Sequence, residues 1–305
     1  MNNRLLALLA AFGASAIYGA NHTIAKGLMP SVIEPFGFIV LRVSGATVLF
    51  WITSLFFPSE KVEKKDWFRF LACALFGMAI NMLCFFKGLS LSTPINSSVV
   101  ITLSPVLLLV LSAIFLKERV TLLKSLGIGL GLAGALLLIL FGMKQQANAP
   151  NIPLGNLFFI INASAYSVYL ILVKPIATKY RPVTLMKWFF LIAVIINLPI
   201  GYSEFVAVDW AGLSFDSIWK MAFVVIGTTY MTYLFNIYAL KILSPSTIGA
   251  FMYVQPVLAT LIAVLVGADS LTTLRILAAA LIFTGVYISS RKPKKRLSKE
   301  TVSTN

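Results

Sequence analysis

Acid is scarce in this chain. Of its 305 residues only ten are Asp or Glu, against 25 Lys and Arg, and there is one histidine. Those ten, Glu34, Glu60, Glu63, Asp66, Glu118, Glu204, Asp209, Asp216, Asp269 and Glu300, all fall at the ends of apolar stretches or between them. No carboxylate sits near the middle of an apolar stretch, so the two Asp of an intramembrane aspartyl protease are missing, and no carboxylate proton relay or sodium site is visible. A His-Glu-x-x-His motif is absent, and one histidine cannot build a usual zinc site. The reading is therefore not an enzyme, with no metal and no cofactor. Cys73 and Cys84 share one apolar stretch, about 16 Å apart along a helix, and cannot pair with each other. Charge is low altogether, 11% of residues against roughly 25% in soluble domains.

What the chain does have is apolar length. It is 59% hydrophobic, with a mean hydropathy of +0.92. One globular core cannot absorb so much apolar surface, so lipid must solvate part of it. A membrane-crossing helix needs about 20 mostly apolar residues. Ten candidates follow: Leu5–Ala25, Phe36–Phe57, Trp67–Phe86, Ile95–Leu116, Leu122–Met143, Leu154–Val173, Val183–Tyr202, Ile218–Leu240, Ser246–Ala268 and Leu271–Ser290. Pro30, Pro35, Pro94, Pro153, Pro182 and Pro245 punctuate the short connections.

An even number of spans puts both termini on one side, and Lys and Arg choose the side, because cytoplasmic loops keep positive charge. With the N-terminus inside, nineteen Lys and Arg lie on the inner side. Only Lys26, Arg42, Lys87, Lys144, Lys220 and Arg275 belong to the outer side. This predicts cytoplasmic termini and explains the net charge of +15 as an orientation signal, so nucleic acid is not expected as a partner. The basic tail 291–305 is expected against anionic headgroups. Arg4 and the run to Ala14-Ser15-Ala16 resemble a cleavable signal. Yet the apolar run continues through Ile24 with no polar start to a mature chain, so the segment is read as the first span.

The chain repeats itself. At a shift of 151 positions Pro94 meets Pro245, Pro105 meets Pro256, Glu118 meets Asp269, Thr121 meets Thr272, Lys124 meets Arg275 and Gly134 meets Gly285. At slightly different shifts Tyr18 and Lys26 meet Tyr166 and Lys174, and Gly77 meets Gly227. Each half holds five spans, an odd number, so the second half enters the bilayer inverted. That is the architecture of many secondary transporters. The expected organisation is a first five-helix unit over 1–146, an inverted second over 147–290, and the tail. Pro105 and Pro256 each remove a backbone hydrogen bond within an apolar helix and kink it, which only a protein-lined or wet cavity tolerates. Glu118 and Asp269, at span ends, are expected to pair with nearby cations or to cap the next helix.

The elements "SPVLLLVLSAIFLKERV…GLAGALL" and "QPVLATLIAVLVGADSL…FTGVYI", the first span "ASAIYGANHTIAKG" and the arginine of "FIVLRVSG" resemble the EamA-like transporters of the drug/metabolite transporter superfamily over nearly the whole chain. One departure is Asp269, where that family usually has Glu. The resemblance implies an all-α integral membrane protein that exports or exchanges small metabolites, amino acids or related amphiphiles, across a bacterial inner membrane.

Polar groups in a bilayer are costly and face the interior or a cavity. Helical spacing sorts them into stripes. The candidate substrate contacts are Tyr18 and His22 on span 1, Arg42 on span 2, Asn81 on span 3, Ser98 and Thr102 on span 4, Asn162 and Tyr166 on span 6, Thr229 and Tyr233 on span 8, and Tyr253 on span 9. Any one of them could instead be interhelical glue or, for Tyr, an interface anchor. Arg42 lies about 10 Å into its span; it could take a carboxylate or phosphate bidentately, or snorkel to headgroups. His22 could titrate near neutral pH or simply pack. Spans 5 and 10 are nearly bare of polar groups and read as scaffold or a dimer surface, leaving monomer or homodimer open. A lipid-linked sugar or nucleotide-sugar translocator is the alternative carrier, and it calls for more cavity cations than Arg42. A receptor or structural membrane protein is the alternative of another class, and the repeat argues against it.

Overall fold

The computed structural model describes residues 3–26, 28–29, 31–92, 102–142, 151–265 and 273–290. Every regular element among them is helical. In chain order they are α1 (Asn3–Lys26), α2 (Pro35–Ser54), α3 (Trp67–Ala74), a π-helical stretch Leu75–Ile80, α4 (Asn81–Leu91), α5 (Ser104–Phe115), α6 (Leu122–Gly142), α7 (Ile152–Lys179) and α8 (Pro182–Val206). There follow α9 (Phe215–Ala222), a second π-helical stretch Phe223–Met231, α10 (Thr232–Ile242), α11 (Pro245–Met252), α12 (Val254–Leu265) and α13 (Thr273–Ser290). α3 and α4 continue through the first π stretch as one rod, and α9 and α10 through the second. Prolines at Pro35, Pro182 and Pro245 occupy first helical turns, where a missing N–H costs nothing.

Among the described residues six stretches are long and apolar enough to cross a membrane: Asn3–Asn21, Pro35–Ser54, Lys64–Gly88, Ile152–Lys179, Pro182–Val206 and Phe215–Ile242. Ser104–Phe115, Leu122–Leu137 and Ile276–Ser290 are apolar but shorter. Leu55, Phe68, Leu122, Phe215 and Tyr287 are more than half exposed, as a lipid-facing surface requires and a water-facing one does not.

The helices pair across the two halves of the chain. α2 lies antiparallel to α8. At one end Glu204 accepts from the Phe36 and Gly37 amides at 2.6 and 2.9 Å; towards the other, Trp51 meets Trp188 at 5.4 Å. The α3–α4 rod lies antiparallel to α7, with Phe70 on Tyr180 at 5.5 Å and Gly88 against Phe159. α1 runs antiparallel to the α9–α10 rod, with Gly13 against Phe235 and Thr228 donating to Asn21 at 3.0 Å. α6 and α13 lie in close contact. A Cβ at Gly127 would stand 2.6 Å from the Gly285 carbonyl oxygen, and one at Gly134 would stand 2.8 Å from that of Ala278. These polar-poor helices thus turn their glycine faces to each other.

The prolines do not kink continuous helices. Pro105 sits in the first turn of α5. Pro256 is the third residue of α12, which restarts at Val254 after a one-residue interruption at Tyr253. The reason is steric: Pro256 has no N–H for the Met252 carbonyl, and its ring crowds that carbonyl, so the helix breaks one turn before it.

One end of the bundle is tied by polar side chains. Lys124 pairs with Glu118, and Ser246 donates to Glu118 at 2.6 Å, joining the turn after α5 to the start of α11. Lys174 donates to the Leu243 carbonyl at 2.7 Å, and Lys179 pairs with Asp66 and Glu63 at 2.6 and 2.7 Å. Burial lies between these ties and the opposite end. Asp269, the acid expected to mirror Glu118, lies outside the described residues.

Candidate functional site

Arg42 is the residue around which the centre is organised. α2 carries it inward, and its side chain is only 9% exposed. Its Nε donates to the Thr229 hydroxyl at 3.1 Å. Thr229 in turn donates to the Val224 carbonyl at 2.8 Å, five residues back within the π stretch. The hydroxyl proton is committed there, so its lone pairs face Arg42. The π-helical winding thus prepares a hydrogen-bond acceptor for the guanidinium.

Tyrosines surround this pair. Tyr18 and Tyr233 lie close enough to Arg42 to interact with it electrostatically, and Thr232 beside Tyr233 donates to the Thr228 carbonyl. Tyr233 donates to the Gly77 carbonyl at 3.4 Å, in the other π stretch. Its ring lies 5.0 Å from Phe190 and 6.5 Å from Tyr169. Tyr169 stands 5.8 Å from Tyr166 and fills the place above Gly77, where a Cβ would come within 2.6 Å of its ring. Tyr169 is 1% exposed, and its hydroxyl has no hydrogen-bond partner among the described residues. A buried hydroxyl left so is costly.

Five of the residues singled out by spacing, Tyr18, Arg42, Tyr166, Thr229 and Tyr233, therefore meet in one place. Asn81 and Asn162 form a different device. Each side-chain amide donates to the other's backbone carbonyl, at 3.3 and 2.7 Å, which clamps the α3–α4 rod to α7. Thr102 and Tyr253 form a third: the Tyr253 hydroxyl donates to the Thr102 carbonyl at 3.1 Å, with Gly131 beneath the Tyr253 ring. This bond joins the turn before Pro105 to the helix break before Pro256. Ser98 and the side chain of His22 lie outside the described residues.

Tyr169 shares the helical stripe of Asn162 and Tyr166 but is not among the contacts that spacing selects; the structure seats its ring beside Tyr166 and Tyr233. Two cavities border the tied end of the bundle. One of about 570 Å³ is lined by Phe57, Arg181, Val183, Leu234, Phe235 and Tyr238. The other, of about 280 Å³, lies beside Arg4, Glu118, Lys124 and Ser244.

A family model described as the EamA-like transporter family matches the chain twice, over residues 5–140 and 153–291. The chain belongs to the EamA-like transporter family. An uncharacterized transporter of Archaeoglobus fulgidus is 26% identical over 260 residues, covering 85% of this chain and 90% of the relative. The uncharacterized transporter YetK of Bacillus subtilis is 23% identical over 288 residues, covering 92% and 86%. A solved structure matches with a TM-score of 0.78 at 20% identity, covering 93% of this chain and 96% of the other, a likeness of fold. This EamA-like chain is a multi-pass membrane protein and a transporter.

Proposed function

We propose that this EamA-like protein is a secondary carrier of small metabolites, amino acids or related amphiphiles. It works by alternating access as an exporter or exchanger in a bacterial inner membrane, with both termini cytoplasmic. Ten spans arranged as two inverted five-helix units, 1–146 and 147–290, are part of the reading. The observation that carries it is the helix pairing. Number the rods of helix in chain order from one to ten; then one pairs with eight, three with six, two with seven, four with nine and five with ten. Exchanging the halves maps the first two pairs onto each other and each of the rest onto itself, as a two-fold axis relating inverted halves requires. The family model's separate match to each half is a second support, and so are the π stretches at Gly77 and Gly227.

In this reading the substrate contacts are Tyr18, Arg42, Tyr166, Thr229 and Tyr233, joined by Tyr169. Asn81 with Asn162 and Thr102 with Tyr253 hold the walls, and the turn before Pro105 and the break before Pro256 let the walls bend. The polar ties at one end close the cytoplasmic mouth and must open for the inward-facing state. Purified protein in liposomes tests this with labelled amino acids and organic acids. Faster uptake of one solute when the lumen holds the same solute establishes carriage; no such stimulation across the panel refutes it.

A further inference from the structure

We infer that the transported solute is a small organic monoanion, a carboxylate on an apolar or aromatic body, and that its charge completes the Arg42 site. The inference rests on the carrier reading above and narrows its substrate.

The first observation is a missing counterion. Arg42 is buried, and among the described residues its one hydrogen bond goes to neutral Thr229. Among the described residues the other acids are engaged or exposed: Asp66 and Glu63 on Lys179, Glu118 on Lys124 and Asp216 on Lys220, Glu204 on the α2 amides, Glu60 on the Arg181 amide and Asp209 on the Gly212 amide, with Glu34 exposed before the start of α2. A guanidinium away from water demands a partner charge. With Nε held by Thr229, the terminal Nη pair keeps the fork that grips a carboxylate through two parallel bonds. One cation matches one negative charge, so a dianion would leave a surplus. The second observation is the Tyr169 hydroxyl, buried without a partner in the same ring cluster. Such a group is completed by a ligand that offers or accepts one more hydrogen bond. The third is the wall itself, built from tyrosine rings, which suits a flat or apolar body more than a sugar.

The charge count has a kinetic consequence. The loaded site is neutral and the empty site carries one uncompensated positive charge. Reorienting the empty carrier moves that bare charge through a low-dielectric centre, whereas reorienting the loaded carrier does not. Exchange therefore outruns net transport.

The experiment uses four probes with a similar aromatic body and different charge: benzoate, phenylalanine, phenyl phosphate and phenethylammonium. The purified full chain is titrated with each, reading the thermal midpoint, and benzoate is followed in liposomes. Benzoate is expected to bind most tightly, Arg42→Gln to weaken it by about tenfold or more, and benzoate efflux to run about tenfold or more faster into benzoate than into plain buffer. Arg42→Lys, which keeps the charge and loses the fork, serves if the Gln variant does not fold; it is expected to bind benzoate more weakly with the order of probes unchanged. Tighter binding of phenethylammonium, phenylalanine or phenyl phosphate than of benzoate would overturn the inference. So would benzoate affinity untouched by Arg42→Gln, or equal efflux into both buffers. An Asp269→Asn variant with raised benzoate affinity would also overturn it, by naming that carboxylate as the counterion. Benzoate binding without counterflow refutes the carrier reading alone. Counterflow of a cationic solute that ignores Arg42→Gln refutes the anion site alone.

Discussion

Thr229 is a small residue with two obligations, and its replacement separates them. Thr229→Val keeps the shape and removes the acceptor for Arg42 Nε and the bond to Val224. A hydrogen bond to a charged group contributes about 1.5–3 kcal/mol, so the transport rate at low substrate is expected to fall between about tenfold and a hundredfold, read as initial counterflow. Tyr169→Phe runs the other way on stability. It deletes an unpartnered buried hydroxyl, so the thermal midpoint should hold or rise, while KM rises because the solute loses a contact. A KM left unchanged would make Tyr169 packing alone. Arg42 also stands outside the proposed symmetry of the halves. It lies seven residues beyond Pro35, and the residue seven beyond Pro182 is Phe189, fully buried against Phe70 and Tyr169. The Arg42 cation thus has no counterpart at that position of α8.

At the scale of elements, glycine decides how close helices come. α6 and α13 meet through Gly127, Gly134 and Gly285, where a Cβ would fall within 2.5–2.8 Å of facing backbone oxygens. Backbone cannot step aside as a flexible side chain can, so Gly285→Leu is expected to destabilise by about 1–3 kcal/mol, read by thermal unfolding in detergent. The same substitution at Gly129, which has nothing nearby, should cost far less. The turn at Thr102–Leu103 and the break at Tyr253 were legible only as prolines. A proline in an apolar run announces a missing hydrogen bond, but whether the helix bends or restarts depends on what receives the freed groups. Here the Tyr253 hydroxyl reaches the Thr102 carbonyl across the two halves, and that partner is 151 residues away.

For the whole molecule, the proposed inversion of the two halves carries the expectation that closing one end opens the other. Glu118 and Ser246 come from opposite halves and meet at 2.6 Å. Cysteines placed at both positions, in a chain with Cys73 and Cys84 replaced, should cross-link under oxidation and halt counterflow, and reductant should restore it. Unchanged counterflow in the cross-linked protein would mean this end need not open. A topology assay with reporters on Asn3 and on the tail tests the other global expectation, that both ends lie in the cytoplasm.

Composition, the spacing of apolar runs and the recurrence of Pro105 at Pro256 were enough to read a helical membrane protein of transporter type, because lipid imposes length and polarity on every span independently of its neighbours. The candidate contacts were legible as polar residues at helical spacing for the same reason: a polar group among apolar ones must have a use. Which of them meet was decided only in three dimensions. Periodicity assigns a face to a residue but not the helix opposite it, and it assumes 3.6 residues per turn. The π stretches at Gly77 and Gly227 depart from that winding, so Tyr18, Arg42, Tyr169, Thr229 and Tyr233 converge while Asn81 and Asn162 close upon each other. The charge balance at Arg42 is likewise tertiary, since it depends on where acids such as Asp66, Glu63, Glu118 and Glu204 are held.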